Sequence, residues 1–77
     1  MKKLFGERLK ELRKQKGILQ KDLTNLLNVR NTTISMWETG ATEPDLTALI
    51  KLAIFFEVST DYLLGLEDEL GNKNTQN

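Results

Sequence analysis

The chain consists of short stretches of helical periodicity, most of which end at a residue that favours a turn. Within each stretch, apolar residues recur every three or four positions with polar residues between them, which is typical of amphipathic helices. No stretch alternates apolar and polar residues for long enough to build a sheet. The residues that close four of the stretches are Gly17, Asn28, Gly40 and Gly65. The pattern predicts an all-α, compact domain of five short helices within residues 1–65.

The starts and the inner faces of these helices can also be predicted. Asp45 and Ser59 each precede an apolar stretch, and a side-chain oxygen at such a position can accept a hydrogen bond from the first N–H groups of a helix. We therefore expect them to cap the fourth and fifth helices. The predicted inner faces carry Leu23, Leu26 and Leu27 in the second helix, and Leu46, Leu49, Leu52, Ala53 and Phe56 in the fourth.

The composition narrows the possible classes of function. Cysteine and histidine are both absent from the 77 residues. The chain therefore lacks thiolate and imidazole ligands and the most common general base, so we expect no enzyme activity, no metal and no cofactor. The longest apolar run, residues 52–56, is far shorter than the roughly 20 residues of a membrane-spanning helix. We expect a cytoplasmic protein that does not contact membranes.

Residues 66–77 are polar and have no periodicity. Segments with so little apolar surface do not usually fold by themselves. We expect a flexible tail, or the start of a linker in a longer protein.

Charge is distributed unevenly, although the formal net charge is zero. Residues 1–37 carry nine basic and three acidic side chains, a net charge of +6, whereas residues 38–77 carry two basic and eight acidic ones, a net charge of −6. Such asymmetry can orient a protein on a polyanion such as DNA, although a charged helix face can also simply be solvated.

Five stretches of sequence, in order, match a known family. They read FGERLKELR at residues 5–13, QKDL at 20–23, TISMWE at 33–38, PDL at 44–46 and VSTDYLLG at 58–65. With these stretches, residues 4–65 resemble the Cro and lambda-repressor-like helix-turn-helix domain, also called the xenobiotic-response-element (XRE) family. The resemblance implies that helices 2 and 3, at residues 20–39, form the helix-turn-helix. It also implies a sequence-specific transcriptional regulator, a repressor of phage or mobile-element origin, that inserts helix 3 into the major groove of double-stranded DNA.

Carried over residue by residue, the resemblance places Asn31, Thr32 and Met36 where the family reads base edges. An asparagine amide can pair with N6 and N7 of adenine together, and a methyl group can pack on that of thymine. The alternative for Asn31 is a cap at the start of helix 3.

Other polar residues match positions beside the DNA backbone, where contacts position the protein rather than select a sequence. The candidates for phosphate contact are Gln20, Arg30, Thr33, Ser35 and Thr39. Gln20 begins helix 2, where free backbone N–H groups favour an anion. Its alternative is an ordinary exposed helical residue.

The resemblance further implies a structural ion pair between Arg13 and Glu38, and Trp37 is expected in the core. Leu19 and Arg30 stand where the family usually has capping residues. Two starts of helix 3, one residue apart, are therefore consistent with the sequence.

Ile54 and Phe55 lie off the predicted core stripe of helix 4. They are candidates for the contact of a homodimer, which would require a palindromic operator, or else they simply widen the core face. An alternative function is a protein-interaction or antitoxin-like module on a helix-turn-helix scaffold.

Overall fold

The turn signals divide the chain into the helices that the sequence predicts. The computed structural model describes residues 2–66, and in that range the chain forms five α-helices and no strand. The helices are α1 (Lys2–Lys16), α2 (Gln20–Leu27), α3 (Asn31–Thr39), α4 (Leu46–Phe56) and α5 (Thr60–Leu64). The predicted all-α, five-helix fold is confirmed. The predicted tail at 66–77 lies, apart from the exposed Leu66, outside the described residues.

The turn between α2 and α3 depends on a left-handed residue. Asn28 has φ 56° and ψ 48°, and its backbone N–H donates to the carbonyl of Thr24. Asparagine tolerates this conformation better than most residues, so α2 ends here and α3 begins three residues later. This short turn holds α2 and α3 side by side.

Two side-chain caps start the later helices as predicted. The Oδ1 atom of Asp45 accepts a hydrogen bond from the N–H of Ala48 at 2.8 Å, and the Oγ atom of Ser59 accepts one from the N–H of Tyr62 at 2.9 Å. Each cap satisfies an N–H group that has no partner inside its own helix. The predicted starts of α4 and α5 are therefore confirmed.

The core connects α3 to the other helices. Ile34 and Trp37 of α3 are buried, and the Trp37 ring meets the Phe5 ring of α1 edge to face, with 6.4 Å between centroids. The remaining buried apolar residues include Leu9, Leu23, Leu27, Ala48, Leu49, Leu52, Ala53, Phe56 and Leu63. Because Ile34 and Trp37 are used in packing, the opposite face of α3, which carries Met36, is turned to solvent. Trp37 is a core residue, as expected.

For two residues, the prediction that they lie on an inner helix face is wrong. Leu26 is 38% exposed and Leu46 is 76% exposed. Leu23 and Leu27, four residues apart, take the core-facing positions of α2 and leave Leu26 at the edge of the stripe. Leu46 is the first residue of α4, and side chains tilt toward the N-terminus of their helix, so it points beyond the core.

Across residues 2–66, no helix is long and apolar enough to cross a membrane.

Candidate nucleic-acid interface

The solvent-facing side of α3 is polar apart from Met36. Asn31, Thr32, Met36 and Thr39 are exposed on it. The only charged residue among the nine of α3 is Glu38, which is partly buried and paired. An exposed, uncharged and hydrogen-bonding helix face of this kind can enter a groove of DNA and contact base edges.

The start of α3 is fixed by its backbone. Arg30 is the N-cap, with φ −81° and ψ 155°, and makes no side-chain capping bond. Asn31 is the first helical residue, so the suggestion that Asn31 caps the helix is wrong. The amide of Asn31 is instead hydrogen-bonded to Gln20 of α2. The start of α3 is therefore not one residue later than predicted. The first backbone bonds of α3 are donated by the N–H groups of Thr33 and Ile34 to the carbonyl of Arg30, so the N–H groups of Asn31 and Thr32 precede them.

A bidentate ion pair ties α1 to the end of α3. The Nε atom of Arg13 lies 2.7 Å from Oε2 of Glu38, and Nη2 lies 3.2 Å from Oε1. Both side chains are largely buried, 13% exposed for Arg13 and 4% for Glu38. The same guanidinium donates through Nη1 to the carbonyl of Ile18 at 3.0 Å. One rigid fork thereby holds α1, the α1–α2 turn and α3 at fixed relative positions.

Gln20 links this ion pair to the exposed face of α3. Its Nε2 atom donates to Oε1 of Glu38 at 3.0 Å. Its Oε1 atom accepts from Nδ2 of Asn31 at 3.1 Å and from the hydroxyl of Ser35 at 3.0 Å. The alternative interpretation of Gln20 as an ordinary exposed helical residue is therefore wrong. No local pattern predicts these bonds, because they join residues 11 to 18 positions apart.

The other candidate phosphate contacts surround this face. Arg30 is exposed at the start of α3, and Thr33 is partly buried. The hydroxyl of Ser35 is turned inward to Gln20, whereas that of Thr39 donates to the carbonyl of Met36 at 3.2 Å. Arg30 thus offers the most accessible charge for a phosphate among the candidates, whereas Ser35 and Thr39 would have to give up these bonds to donate to a phosphate.

The start of α2 lacks a side-chain cap on the N-cap residue, as expected for leucine. The carboxylate of Asp22 compensates in part, because its Oδ2 atom accepts a hydrogen bond from the N–H of Leu19 at 2.8 Å. That N–H group is consequently unavailable to a phosphate, which leaves the second Nε2–H of Gln20 and the following backbone N–H groups.

The two candidate dimer residues have different environments. Ile54 is 71% exposed, whereas Phe55 is partly buried and packs against the core. The Phe55 ring lies at 77° to that of Phe56 and has the ammonium of Lys16 5.3 Å from its centroid. The view that both widen the core holds for Phe55 and is wrong for Ile54. With Leu26 and Lys51 they line a shallow depression on the surface.

Comparison with known proteins identifies the family. A helix-turn-helix family model matches residues 9–63. The transcriptional regulator ImmR of Bacillus subtilis is 45% identical over 70 residues, which cover 91% of this chain and 54% of that protein. The chain spans about half the length of the first curated relatives that it matches.

Solved structures agree with the family. The c2 repressor of Salmonella phage P22, in complex with a synthetic operator, has a TM-score of 0.73 at 39% identity over 79% of this chain and 92% of that one. A transcriptional regulator from Listeria innocua has a TM-score of 0.80 at 36% identity over 95% of this chain and 68% of that one. The chain therefore belongs to the helix-turn-helix family of transcriptional regulators and has the lambda-repressor-like fold.

Proposed function

We propose that this chain binds operator DNA sequence-specifically, as a transcriptional repressor of prophage or mobile-element origin without catalytic activity. The observation that carries the proposal is the exposed, hydrogen-bonding face of α3, mounted on a helix whose opposite face is buried. The likeness to the P22 c2 repressor, which was solved with an operator, supports the same conclusion. The protein acts where its DNA lies, in the cytoplasm.

In this proposal, α3 enters the major groove, and Asn31, Thr32 and Met36 contact base edges. All three are exposed, and they lie within about a turn and a half of one another on the helix. The Met36 side chain and the Thr32 methyl group suit the methyl group of thymine, whereas the Asn31 amide forms hydrogen bonds.

Phosphate contacts flank this reading face. Arg30 supplies a cation beside the start of α3 and Thr33 supplies a hydroxyl, whereas Ser35 and Thr39 would exchange their bonds to Gln20 and Met36 for bonds to phosphates. Gln20 donates to a phosphate through the Nε2–H that is not bonded to Glu38. These groups fix the position of the protein on the duplex and carry little sequence information.

The proposed binding unit is a homodimer on a palindromic operator. The exposed Ile54 and Leu26 lie beside the partly buried Phe55, and a second copy would cover this apolar cluster. Two copies related by a two-fold axis would place their α3 helices in successive major grooves, about 34 Å apart.

A protein-interaction or antitoxin-like module is the second candidate. It is favoured by a row of exposed apolar side chains along α4, formed by Leu46, Ile50 and Ile54. In this second candidate, a partner protein binds this row and α3 has no function in DNA recognition. The two candidates therefore differ in whether the exposed face of α3 matters.

Selection from a pool of random double-stranded DNA at low salt tests the proposal. We expect a palindrome to be enriched by the wild-type protein and not by Thr32→Glu, because a carboxylate on the reading face repels phosphates. Thr47→Glu, at another exposed threonine on α4, should enrich the same palindrome. Absence of enrichment with the wild-type protein would refute the proposed function and favour the interaction module.

A further inference from the structure

We propose that Met36 is a modification site, at which oxidation of the thioether to the sulfoxide by a peroxide weakens operator binding and leaves the fold intact. The inference rests on the proposed function, since its effect is measured on operator DNA. It adds a class of reagent to which the exposed face of α3 is sensitive, a two-electron oxidant such as hydrogen peroxide.

Met36 is the only residue with a sulfur atom in residues 2–66. Cysteine is absent from the sequence, and the one other methionine is Met1. Thiols, which peroxides also oxidise, therefore do not compete for the oxidant. Met36 is 43% exposed, whereas Trp37, the next residue, is 4% exposed. A small oxidant can therefore reach the Met36 side chain while the protein is folded.

The reaction transfers one oxygen atom to sulfur. A lone pair of the Met36 sulfur attacks one oxygen of hydrogen peroxide, so that the S–O bond forms as the O–O bond breaks. The departing hydroxide takes the proton of the transferred oxygen and leaves as water. Sulfur loses two electrons and the peroxide gains two. Methionine sulfoxide reductases reverse the change at the expense of two thiols, with the oxygen released as water.

Oxidation would change the one apolar side chain on the exposed face of α3. In the proposed function, Met36 packs against the methyl group of a thymine. The sulfoxide oxygen is a polar acceptor, and the groups that thymine presents in the major groove are that methyl group and the O4 acceptor. Neither of them can donate to the sulfoxide. Burying the new oxygen at this contact without a donor costs free energy, so the oxidised protein binds operator more weakly.

Met36 supports the fold through its backbone. Its carbonyl oxygen accepts hydrogen bonds from the N–H groups of Ala41 at 2.9 Å and Thr42 at 3.3 Å, and from the hydroxyl of Thr39 at 3.2 Å. These bonds close the end of α3 and do not involve the sulfur. The buried residues of α3 lie on the opposite side of the helix. Oxidation should therefore alter the proposed interface and leave the helix in place.

Two properties distinguish this effect from general damage. The sulfoxide is uncharged, so the phosphate contacts and the salt dependence of binding should not change. Met36 also lies between Thr32, one turn earlier, and Thr39, one turn later, on the same exposed side. DNA bound to this side would cover the sulfur, so operator DNA should protect Met36 from peroxide.

The experiment treats the full chain with hydrogen peroxide and a metal chelator, and locates the added oxygen by peptide mass spectrometry. The operator is the sequence that the wild-type protein enriches from random DNA. Oxidation of Met36 should weaken operator binding at least about tenfold, with an unchanged salt dependence and circular dichroism spectrum. With free operator at about ten times its Kd, about nine-tenths of the protein is bound, so oxidation of Met36 should slow about tenfold.

Two variants at the same position provide matched controls. Met36→Leu has no sulfur but a similar volume, so it should bind operator within about threefold of the wild-type protein, both before and after peroxide treatment. It retains Met1, so a loss of affinity caused by oxidation of Met1 would persist in it. Met36→Gln places a polar group at the contact without any oxidant and should bind about tenfold more weakly. Methionine sulfoxide reductases should restore the affinity of the oxidised wild-type protein.

The outcomes separate this inference from the proposed function. If the wild-type protein enriches no operator, the proposed function is refuted, and with it the effect of oxidation on binding. If an operator is enriched but protein with Met36 sulfoxide binds it unchanged, or Met36→Leu loses as much affinity after peroxide treatment, DNA binding stands and the inference is refuted. Met36 that stays reduced under conditions that oxidise free methionine, or oxidation that unfolds the protein, would also overturn it.

Discussion

Gly6 of α1 lies so close to Trp37 of α3 that a Cβ atom at position 6 would overlap the Trp37 carbonyl oxygen. The same atom would lie 2.8 Å from the carbonyl oxygen of Glu38. The neighbours are backbone atoms, which cannot rotate away. The two helices therefore cross in direct backbone contact at Gly6.

Gly6→Ala should destabilise the protein, although alanine is the better helix former. The gain in helix propensity is about 1 kcal/mol, and separating two packed helices costs more. We expect a net loss in the free energy of unfolding of roughly 1–3 kcal/mol by urea denaturation. Gly17→Asn is a suitable control, because nothing lies within 4 Å of a Cβ there and asparagine tolerates the positive φ. Equal stability of Gly6→Ala and the wild-type protein would contradict the tight crossing.

Arg13→Met should be among the more destabilising single substitutions. It leaves the carboxylate of Glu38, 4% exposed, without its charged partner, a situation that typically costs about 3–5 kcal/mol. The double variant Arg13→Met with Glu38→Leu removes both charges and should recover much of that loss. Denaturation of the two single variants and the double variant forms a thermodynamic cycle. Additive effects in this cycle would show that the pair is not coupled.

Ile54→Gln should impair dimer formation and leave the folded monomer intact. The side chain is 71% exposed, so its replacement removes little from the core of one copy. We expect the two halves of a palindromic operator to be filled independently, with unchanged affinity for an isolated half-site. Leu46→Gln is the matched control, exposed two turns away on the same helix, and should retain cooperative binding. Cooperativity that survives Ile54→Gln would place the dimer contact elsewhere.

Features that depend on neighbouring residues could be predicted from the sequence. The caps at Asp45 and Ser59 and the turn at Asn28 follow from side chains that act within three or four positions. Helical spacing also predicted the buried side of α3 correctly. It failed for Leu26 and Leu46, because periodicity gives the direction of a side chain but not whether another helix covers it.

The hydrogen bonds of Gln20 were beyond sequence reasoning for a related reason. They depend on how α2 and α3 approach each other, and a polar residue at a helix start does not indicate its partner. Two starts of α3, one residue apart, were also consistent with the sequence, because Arg30 lacks a capping side chain. Only the backbone angles show that Asn31 is the first helical residue.

The most direct test of DNA recognition by α3 is a parallel selection of random DNA with the wild-type protein and with Asn31→Ala. The substitution is exposed and lies outside the core, so both proteins should be folded. We predict that both enrich the same palindrome, but that the variant loses its preference at one base pair in each half-site. An enriched sequence that is identical for the two proteins would contradict base reading by Asn31.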